Sequence, residues 1–243
     1  MNAPIVVAVI DSGWDRTLWS PNVREGIGLV DDDHPLAVRV SVDDHDRNGH
    51  GTKCSRLILE HAPNADLIPI RVFGGTLESS VEHICLALRL AKERGARVVS
   101  MSLATVSEDA KVPLYTACED AARRGVLFVA AADRRTRLGY PAVFHDVIGV
   151  AAATLPEGTP FAFRANAPIE CVARGAVTGS EWNHRRPEGS NSYAAARLTG
   201  MIAHWLEARP KSGLDEVREW IASATPSPFS PTPPATPSQA MAT

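Results

Sequence analysis

The run of residues 5–10, IVVAVI, constrains the fold of this chain more than any other stretch. It is apolar throughout and mostly β-branched, which is typical of a strand buried on both faces of a sheet. Further strands are predicted at residues 36–42, 65–72, 97–103, 125–131, 147–153 and 169–173, and helices at 49–61, 79–95, 109–124, 192–206 and 214–222. This alternation predicts an α/β fold with a mostly parallel central sheet covered by helices on both faces.

Two details of this prediction concern local structure. Residues 14–37, which contain Pro21, Pro35 and an acidic run, are expected to be irregular. Ser79 and Glu82 have the spacing of a capping box, which places the start of the second helix there.

Length and composition exclude several classes of protein. The chain has 243 residues, of which 44% are hydrophobic and 22% charged, with a net charge of −3. This size suits one domain with a sizeable core, and the mild negative charge argues against a nucleic-acid partner. No apolar run approaches the ~20 residues that cross a bilayer, and the N-terminus lacks the regions of a signal peptide. We therefore expect a cytoplasmic protein with no membrane partner.

The four cysteines, Cys54, Cys85, Cys118 and Cys171, are widely spaced and form no Cys-x-x-Cys pair. Three of them fall on apolar positions of predicted elements, where a free thiol behaves as a small hydrophobe. Reduced, buried thiols are therefore expected rather than disulfides or a zinc site.

The C-terminal stretch, residues 225–243, differs in composition from the rest. It holds six of the 18 prolines, with Ser, Thr and Ala between them, and its sizeable apolar side chains are Phe229 and Met241. Such a sequence cannot bury a core and predicts a flexible or partly polyproline II tail. A docking peptide for a proline-reading domain is one interpretation, and an inert tail is the simpler one. The predicted boundaries are thus a domain at 1–224 and a tail at 225–243.

Three polar motifs fall where predicted strands end or helices begin. Asp11 follows the first strand, His50 opens the first helix, and Ser192 precedes an Ala-rich helix that has Gly200 eight residues on. Sites on parallel sheets gather at the carboxyl ends of the strands, so the three side chains are expected at one edge. A serine in the first turn of a helix lies beside free N–H groups, which suits acyl transfer. Each residue alone is also an ordinary cap, but their joint occurrence favours chemistry.

In this order, the motifs resemble the three signatures of subtilisin-like serine proteases. The resemblance spans roughly residues 5–206, and it includes the substrate-lining strand at 98–103 and the strand before the oxyanion loop at 128–132. It implies a subtilisin-like three-layer fold. It also implies that Ser192 is the nucleophile, that His50 is the base and that Asp11 orients the imidazole.

The resemblance also implies which residues bind substrate. An extended peptide would lie along residues 100–104 by strand addition. The positions carried over as substrate-binding are Ser100, Ser102, Leu103, Ala104, Ala130 and Ala131.

The chain departs from the family pattern at the oxyanion loop. The family usually has an Asn whose amide donates to the oxyanion, and Asp133 is the nearest match here. A carboxylate there repels the developing charge unless it is protonated or turned away, and loss of one donor costs ~10²–10³ in rate, a magnitude known from subtilisin itself. Asn191 or Asn183 could supply the missing amide donor to the oxyanion. Ala104 and Thr105 stand where the family often has Gly-Gly, which narrows the cleft.

Charged loops near these motifs have simpler interpretations. Acidic groups at residues 31–33 and 43–46 could bind Ca²⁺, a frequent stabiliser in the family, but neither has an ordered ligand spacing. No cofactor or metal is therefore expected, with Ca²⁺ as the alternative. Arg185 and Arg186 could favour an acidic peptide, although surface charge alone explains them.

Two functional hypotheses follow. The first is an intracellular endopeptidase that cleaves a specific peptide or precursor, with a possible partner protein for activation or substrate delivery. The second is a catalytically impaired, subtilase-fold peptide-binding protein, motivated by Asp133 and by residues 104–105.

Overall fold

The structure is a computed structural model, which describes residues 3–31, 38–177 and 189–225. Its strands are β1 (Val6–Asp11), β2 (Ile27–Asp31), β3 (Val38–Ser41), β4 (Asp66–Arg71), β5 (Val98–Met101), β6 (Leu127–Ala131), β7 (Val147–Ala152), β8 (Phe161–Phe163) and β9 (Cys171–Ala173). Its helices are α1 (His50–His61), α2 (Val81–Glu93), α3 (Glu108–Ala122), α4 (Asn191–Glu207) and α5 (Leu214–Ala224).

All of these strands form one sheet in the order β3-β2-β4-β1-β5-β6-β7-β9-β8. The central pairs are parallel, and an antiparallel pair closes each edge, β2 with β3 and β8 with β9. This arrangement confirms the predicted α/β fold with a mostly parallel sheet. It also brings the ends of β1, β5 and β6 side by side, where the predicted site residues lie.

The apolar run of β1 is explained by packing on both of its faces. Val7 and Val9 belong to the core that contains buried residues of α1, α4 and α5. Ala8 and Ile10, which alternate with them, belong to the core that contains buried residues of α2 and α3. Because both faces are covered, the strand needs no polar position.

Two sequence expectations about local structure are wrong. Residues 14–37 are not irregular throughout, because β2 pairs there with β3 and β4. Gly28 interrupts the apolar pattern by which this strand could have been recognised in the sequence. Glycine is required here because a Cβ would lie 2.0 Å from the carbonyl oxygen of Asp43. The cap of α2 is Ser80 rather than Ser79, since the Ser80 side chain accepts the backbone N–H of His83.

Helices α1 and α4 pack closely, and this contact sets the distance between His50 and Ser192. A Cβ on Gly200 would lie 2.5 Å from the carbonyl oxygen of Ile58, so only glycine lets α4 approach α1 this closely. Gly51 plays the same part at the start of α1, where a Cβ would lie 2.5 Å from the carbonyl oxygen of Gly13.

Three remaining expectations concern the chain as a whole. The four cysteines all lie in the described ranges and are free, with Cys85 half-buried and the others buried. Within the described ranges, no helix has the length and apolarity required to cross a membrane. Of the predicted tail, Thr225 alone lies within the described residues, so the boundary at 224 stays a prediction.

Candidate active site

Asp11 and His50 form a hydrogen-bonded pair at the end of β1. Asp11 is fully buried, and its Oδ1 lies 2.7 Å from His50 Nδ1 and accepts the backbone N–H of Ser12 at 2.7 Å. Its Oδ2 is buried without a hydrogen-bond partner in the described part of the chain. With Nδ1–H donating to Asp11, the neutral imidazole has its lone pair on Nε2, the nitrogen that a general base uses.

A second acid, Asp46, fixes the start of the helix that carries His50. Its Oδ1 accepts the backbone N–H groups of Asn48 at 3.0 Å and Gly49 at 2.7 Å, and its Oδ2 accepts from the Thr52 backbone at 2.8 Å and hydroxyl at 2.6 Å. Burial opposes ionisation, but the hydrogen bonds from Thr52 outweigh it and lower the pKa of Asp46. Sequence reasoning missed this role. The signal was an Asp four residues before His50, separated from it by Arg-Asn-Gly.

The surroundings of His50 favour its charged form. Burial disfavours the imidazolium, but the nearby charge of Asp11 outweighs burial, and the pKa of His50 is raised above its ordinary 6.5. Tyr193 stacks against the imidazole with ring centroids 5.7 Å apart, and Cys54 Sγ lies 3.9 Å from Nδ1. The pair is thus suited to hold a proton that His50 takes from a nucleophile.

Ser192 lies in the first turn of α4 and borders the same cleft as His50. Its hydroxyl donates to the carbonyl oxygen of Ser102 at 3.3 Å, so in this state it is turned toward the end of β5. Within the described ranges Oγ makes no hydrogen bond to His50, and such catalytic contacts often tighten only when substrate binds. The backbone N–H of Ser192 is among the first of α4, which have no intrahelical partner and suit an oxyanion.

Asp133 follows β6 and is ionised rather than protonated. Its Oδ1 accepts from the backbone N–H groups of Arg135 at 2.9 Å and Thr136 at 2.7 Å, and from the Thr136 hydroxyl at 2.9 Å. Burial opposes the charge, but the hydrogen bonds from Thr136 and Arg135 lower the pKa of Asp133. One oxygen is therefore turned to its own loop, while the residue still borders the cleft.

Asn191 joins the start of α4 to two strands. Its Oδ1 accepts the backbone N–H of Ala152 at 2.8 Å, and its Nδ2 donates to the carbonyl oxygen of Ala132 at 2.9 Å. The amide thus holds the loop after β6 in place, and one of its two N–H protons is donated to the Ala132 carbonyl oxygen. Asn183, Arg185 and Arg186 lie outside the described residues.

The cleft next to the Asp11–His50 pair has a volume of about 600 Å³. Of the predicted substrate-binding residues, Ser102, Leu103, Ala104 and Ala131 line it. Ser100 and Ala130 do not, and this corrects the prediction, because both are fully buried in the sheet. The Ser100 hydroxyl instead accepts from Thr199 Oγ1 at 3.2 Å inside the core.

The acidic loop at residues 43–46 is held by protein groups. Asp44 binds the guanidinium of Arg16, and Asp43 binds that of Arg47. Residues 32 and 33 of the other acidic run lie outside the described residues. In the described ranges, one set of side chains has the spacing to hold a metal ion, Asp11, His50 and Cys54, and it includes the hydrogen-bonded pair itself.

Comparisons with known proteins place this chain among peptidases. The model of the subtilase family matches residues 2–238. The chain is 33% identical over 223 residues to the major intracellular serine protease of Bacillus subtilis (strain 168), a match that covers 82% of this chain and 67% of that relative. It is 30% identical over 236 residues to an alkaline protease of Alkalihalobacillus alcalophilus, covering 92% of this chain and 59% of that relative.

A solved structure has the same fold. The epidermin leader peptide processing serine protease of Staphylococcus aureus superposes with a TM-score of 0.63 at 19% identity, over 90% of this chain and 69% of that one.

Proposed function

Because this chain belongs to the subtilase family of serine endopeptidases, we propose that it hydrolyses peptide bonds with Ser192 as nucleophile. His50 is the general base, and Asp11 holds it in the reactive tautomer. The observation that carries this proposal is the 2.7 Å contact between Asp11 Oδ1 and His50 Nδ1, made beside a cleft that Ser192 also lines.

The reaction uses these groups in two stages. Ser192 Oγ attacks the scissile carbonyl carbon while its proton moves to His50 Nε2, and Asp11 stabilises the imidazolium that forms. The oxyanion is stabilised by the backbone N–H of Ser192 at the start of α4. His50 then gives the proton to the leaving amine, and an acyl-enzyme remains. Water, deprotonated by His50, releases the second product in the same way.

The proposed substrate is an extended segment of a specific peptide or precursor protein inside the cell. Residues 102–104 follow β5 at the cleft, where an extended chain can lie beside their backbone. A structure with the same fold belongs to a leader peptide processing protease, and a relative is named an intracellular protease. Both names agree with this choice of substrate and compartment.

A peptide-binding protein without turnover is the second candidate. The observation that favours it is the ionised carboxylate of Asp133 beside the cleft, since negative charge there opposes formation of the oxyanion. In that case the chain holds an extended peptide and does not cleave it.

Labelling with a fluorophosphonate probe tests the proposal. We expect the wild-type chain to be modified at Ser192, located by mass spectrometry, and Ser192→Ala to remain unlabelled. Ser107→Ala is the matched control, because Ser107 also precedes a helix but makes no side-chain capping bond. It should label like the wild type. A folded wild-type chain that stays unlabelled, yet binds peptides equally well with and without Ser192→Ala, would support the binding protein instead.

A further inference from the structure

A second groove, distinct from the active-site cleft, lies between α4 and α5. Trp205 of α4 and Trp220 of α5 stack with ring centroids 5.4 Å apart and an angle of 22° between their planes. Phe161 of β8 is tilted by 58° against Trp220, with ring centroids 5.5 Å apart, and the Arg209 guanidinium lies over the Trp205 ring, 5.0 Å from its centroid. The groove has a volume of about 580 Å³. It is a continuous aromatic platform.

The platform also presents hydrogen-bond donors. Both tryptophans are half-buried, and neither indole N–H donates a hydrogen bond within the described ranges. Indole N–H groups usually have a hydrogen-bond partner once they are buried, as they would be beneath an occupant of this groove. A suitable occupant therefore has flat apolar groups that stack on the rings and backbone carbonyls that accept from the indoles. A polyproline II segment has both, because its carbonyls make no internal hydrogen bonds.

Residues 226–243 of this chain contain such a segment. Pro228, Pro231, Pro234 and Pro237 recur at intervals of three residues. A polyproline II helix has 3 residues per turn, so in that conformation these four prolines lie on one face. Pro226 and Pro233 fall off this face. The segment has no Lys, Arg, Asp or Glu that would have to be desolvated on an aromatic surface.

The described chain ends beside the groove. Trp220 lies one turn before the end of α5, and Thr225 follows that helix. Thr225 Oγ1 accepts the backbone N–H of Phe163 at 2.8 Å and donates to the carbonyl oxygen of Ile221 at 2.8 Å. Thr225, the last described residue, therefore lies against β8, the strand that also supplies Phe161 to the platform. Eighteen residues in polyproline II span up to about 56 Å, ample to cross the groove.

We propose that the groove of Trp205, Trp220 and Phe161 is a polyproline II binding site, and that its occupant is the chain's own segment 228–237. The four-proline face stacks on the indoles, and carbonyl oxygens of the segment accept from their N–H groups. The end of the described chain beside the groove favours this intramolecular occupant, because the tether supplies a high effective concentration. The site is separate from catalysis, and this proposal stands or falls independently of Ser192.

Fluorine NMR of the full chain labelled with 5-fluorotryptophan tests the proposal. The signals of Trp205 and Trp220 are assigned from Trp205→Phe and Trp220→Phe. The test variant carries Pro231→Ala, Pro234→Ala and Pro237→Ala, which remove three of the four prolines of that face. The matched control carries Pro226→Ala and Pro233→Ala. We expect the test variant to shift both signals, the control to leave them in place, and labelling of Ser192 to be the same in both.

A synthetic peptide of residues 226–243, added to the test variant, should return the two signals toward their wild-type positions. Signals that are identical in wild type and test variant would overturn the proposal. Equal shifts in the test variant and the control would also overturn it, because the effect would then not depend on the proline face. Wild-type signals that change on dilution, together with a dimer in sedimentation, would replace the intramolecular occupant by the segment of a second copy.

Discussion

Asp46, before helix α1, and Asp133, after strand β6, form the same local motif with different consequences. Each accepts the backbone N–H groups two and three residues ahead of it on Oδ1. At Asp46 the second oxygen also accepts hydrogen bonds, from the backbone N–H and the hydroxyl of Thr52. The carboxylate therefore stabilises the start of α1 through both of its oxygens. At Asp133 the second oxygen accepts no hydrogen bond in the described ranges, and the residue borders the cleft. In the proposed mechanism, one acid supports the general base, while the other leaves a negative charge beside the cleft.

The largest effect is expected from Asp11→Asn, which breaks the base side of the cleft. The substitution keeps the shape of the side chain but removes the charge that stabilises the imidazolium and fixes its tautomer. We expect kcat to fall by about 10⁴ with little change in KM, as for the equivalent change in other triads. Steady-state kinetics on a cleaved peptide measures it. A loss of less than tenfold would mean that Asp11 does not orient His50.

Asp133→Asn tests the oxyanion side. Asparagine can keep Oδ1 as the acceptor for Arg135 and Thr136 and place an amide donor where the second carboxylate oxygen was. We expect kcat to rise by up to about 10², with KM nearly unchanged, because the donor acts on the transition state. Asp133→Ala is the control that removes the charge but adds no donor, and it should gain less. A fall in kcat with Asp133→Asn would mean that the acid has another role, such as binding substrate.

The pH dependence of kcat/KM tests the base side of the cleft alone, because it follows the protonation of His50. His50 must be neutral to act as base, and its pKa is raised, so kcat/KM should rise with pH with a midpoint above 6.5. In Asp11→Asn, burial still lowers the pKa of His50, but the carboxylate charge that raised it is gone. The midpoint of the pH profile of the residual activity should therefore move to lower pH. The same midpoint in both chains would contradict the electrostatic account.

The stability of the chain should follow the opposite trend. A raised folded pKa means that the His50–Asp11 pair contributes fully below pH 6.5, the unfolded value. The contribution is lost as the pH rises through the folded pKa. Urea unfolding across this range should therefore show decreasing stability of the wild type as activity increases. Asp11→Asn should reduce that dependence.

The smallest effect is expected from Asp46→Asn. Here the amide keeps Oδ1 but replaces the oxygen that accepts from Thr52, so the start of α1 is weakened. We expect the free energy of unfolding to fall by about 2 kcal/mol, measured in urea, and no gain in kcat. A gain in kcat like that of Asp133→Asn would contradict the comparison, because the effect would then not depend on whether the acid borders the cleft.

The sequence predicted most of the fold because buried parallel strands are continuous apolar runs, which are easily recognised in a sequence. It missed β2, where Gly28 is required by the close approach of residue 43 rather than by strand propensity. At the site, the family resemblance pointed to Asp11, His50 and Ser192 but not to Asp46, because capping by Asp depends on the fold of a loop. Ser100 and Ala130 each lie one residue before the end of their strand, inside the sheet, where both are fully buried and do not line the cleft.

The burial of α4 has a consequence for how the protein loses activity. Nine of its residues, from Ala194 to Leu206, are buried, and the helix packs on α1 and the central strands. Backbone amides in such an element exchange with solvent only when the whole domain opens. Helix α4, with Ser192 in its first turn, should therefore belong to the slowest-exchanging part of the chain. Heat inactivation and loss of the slowest-exchanging amides should then share one midpoint.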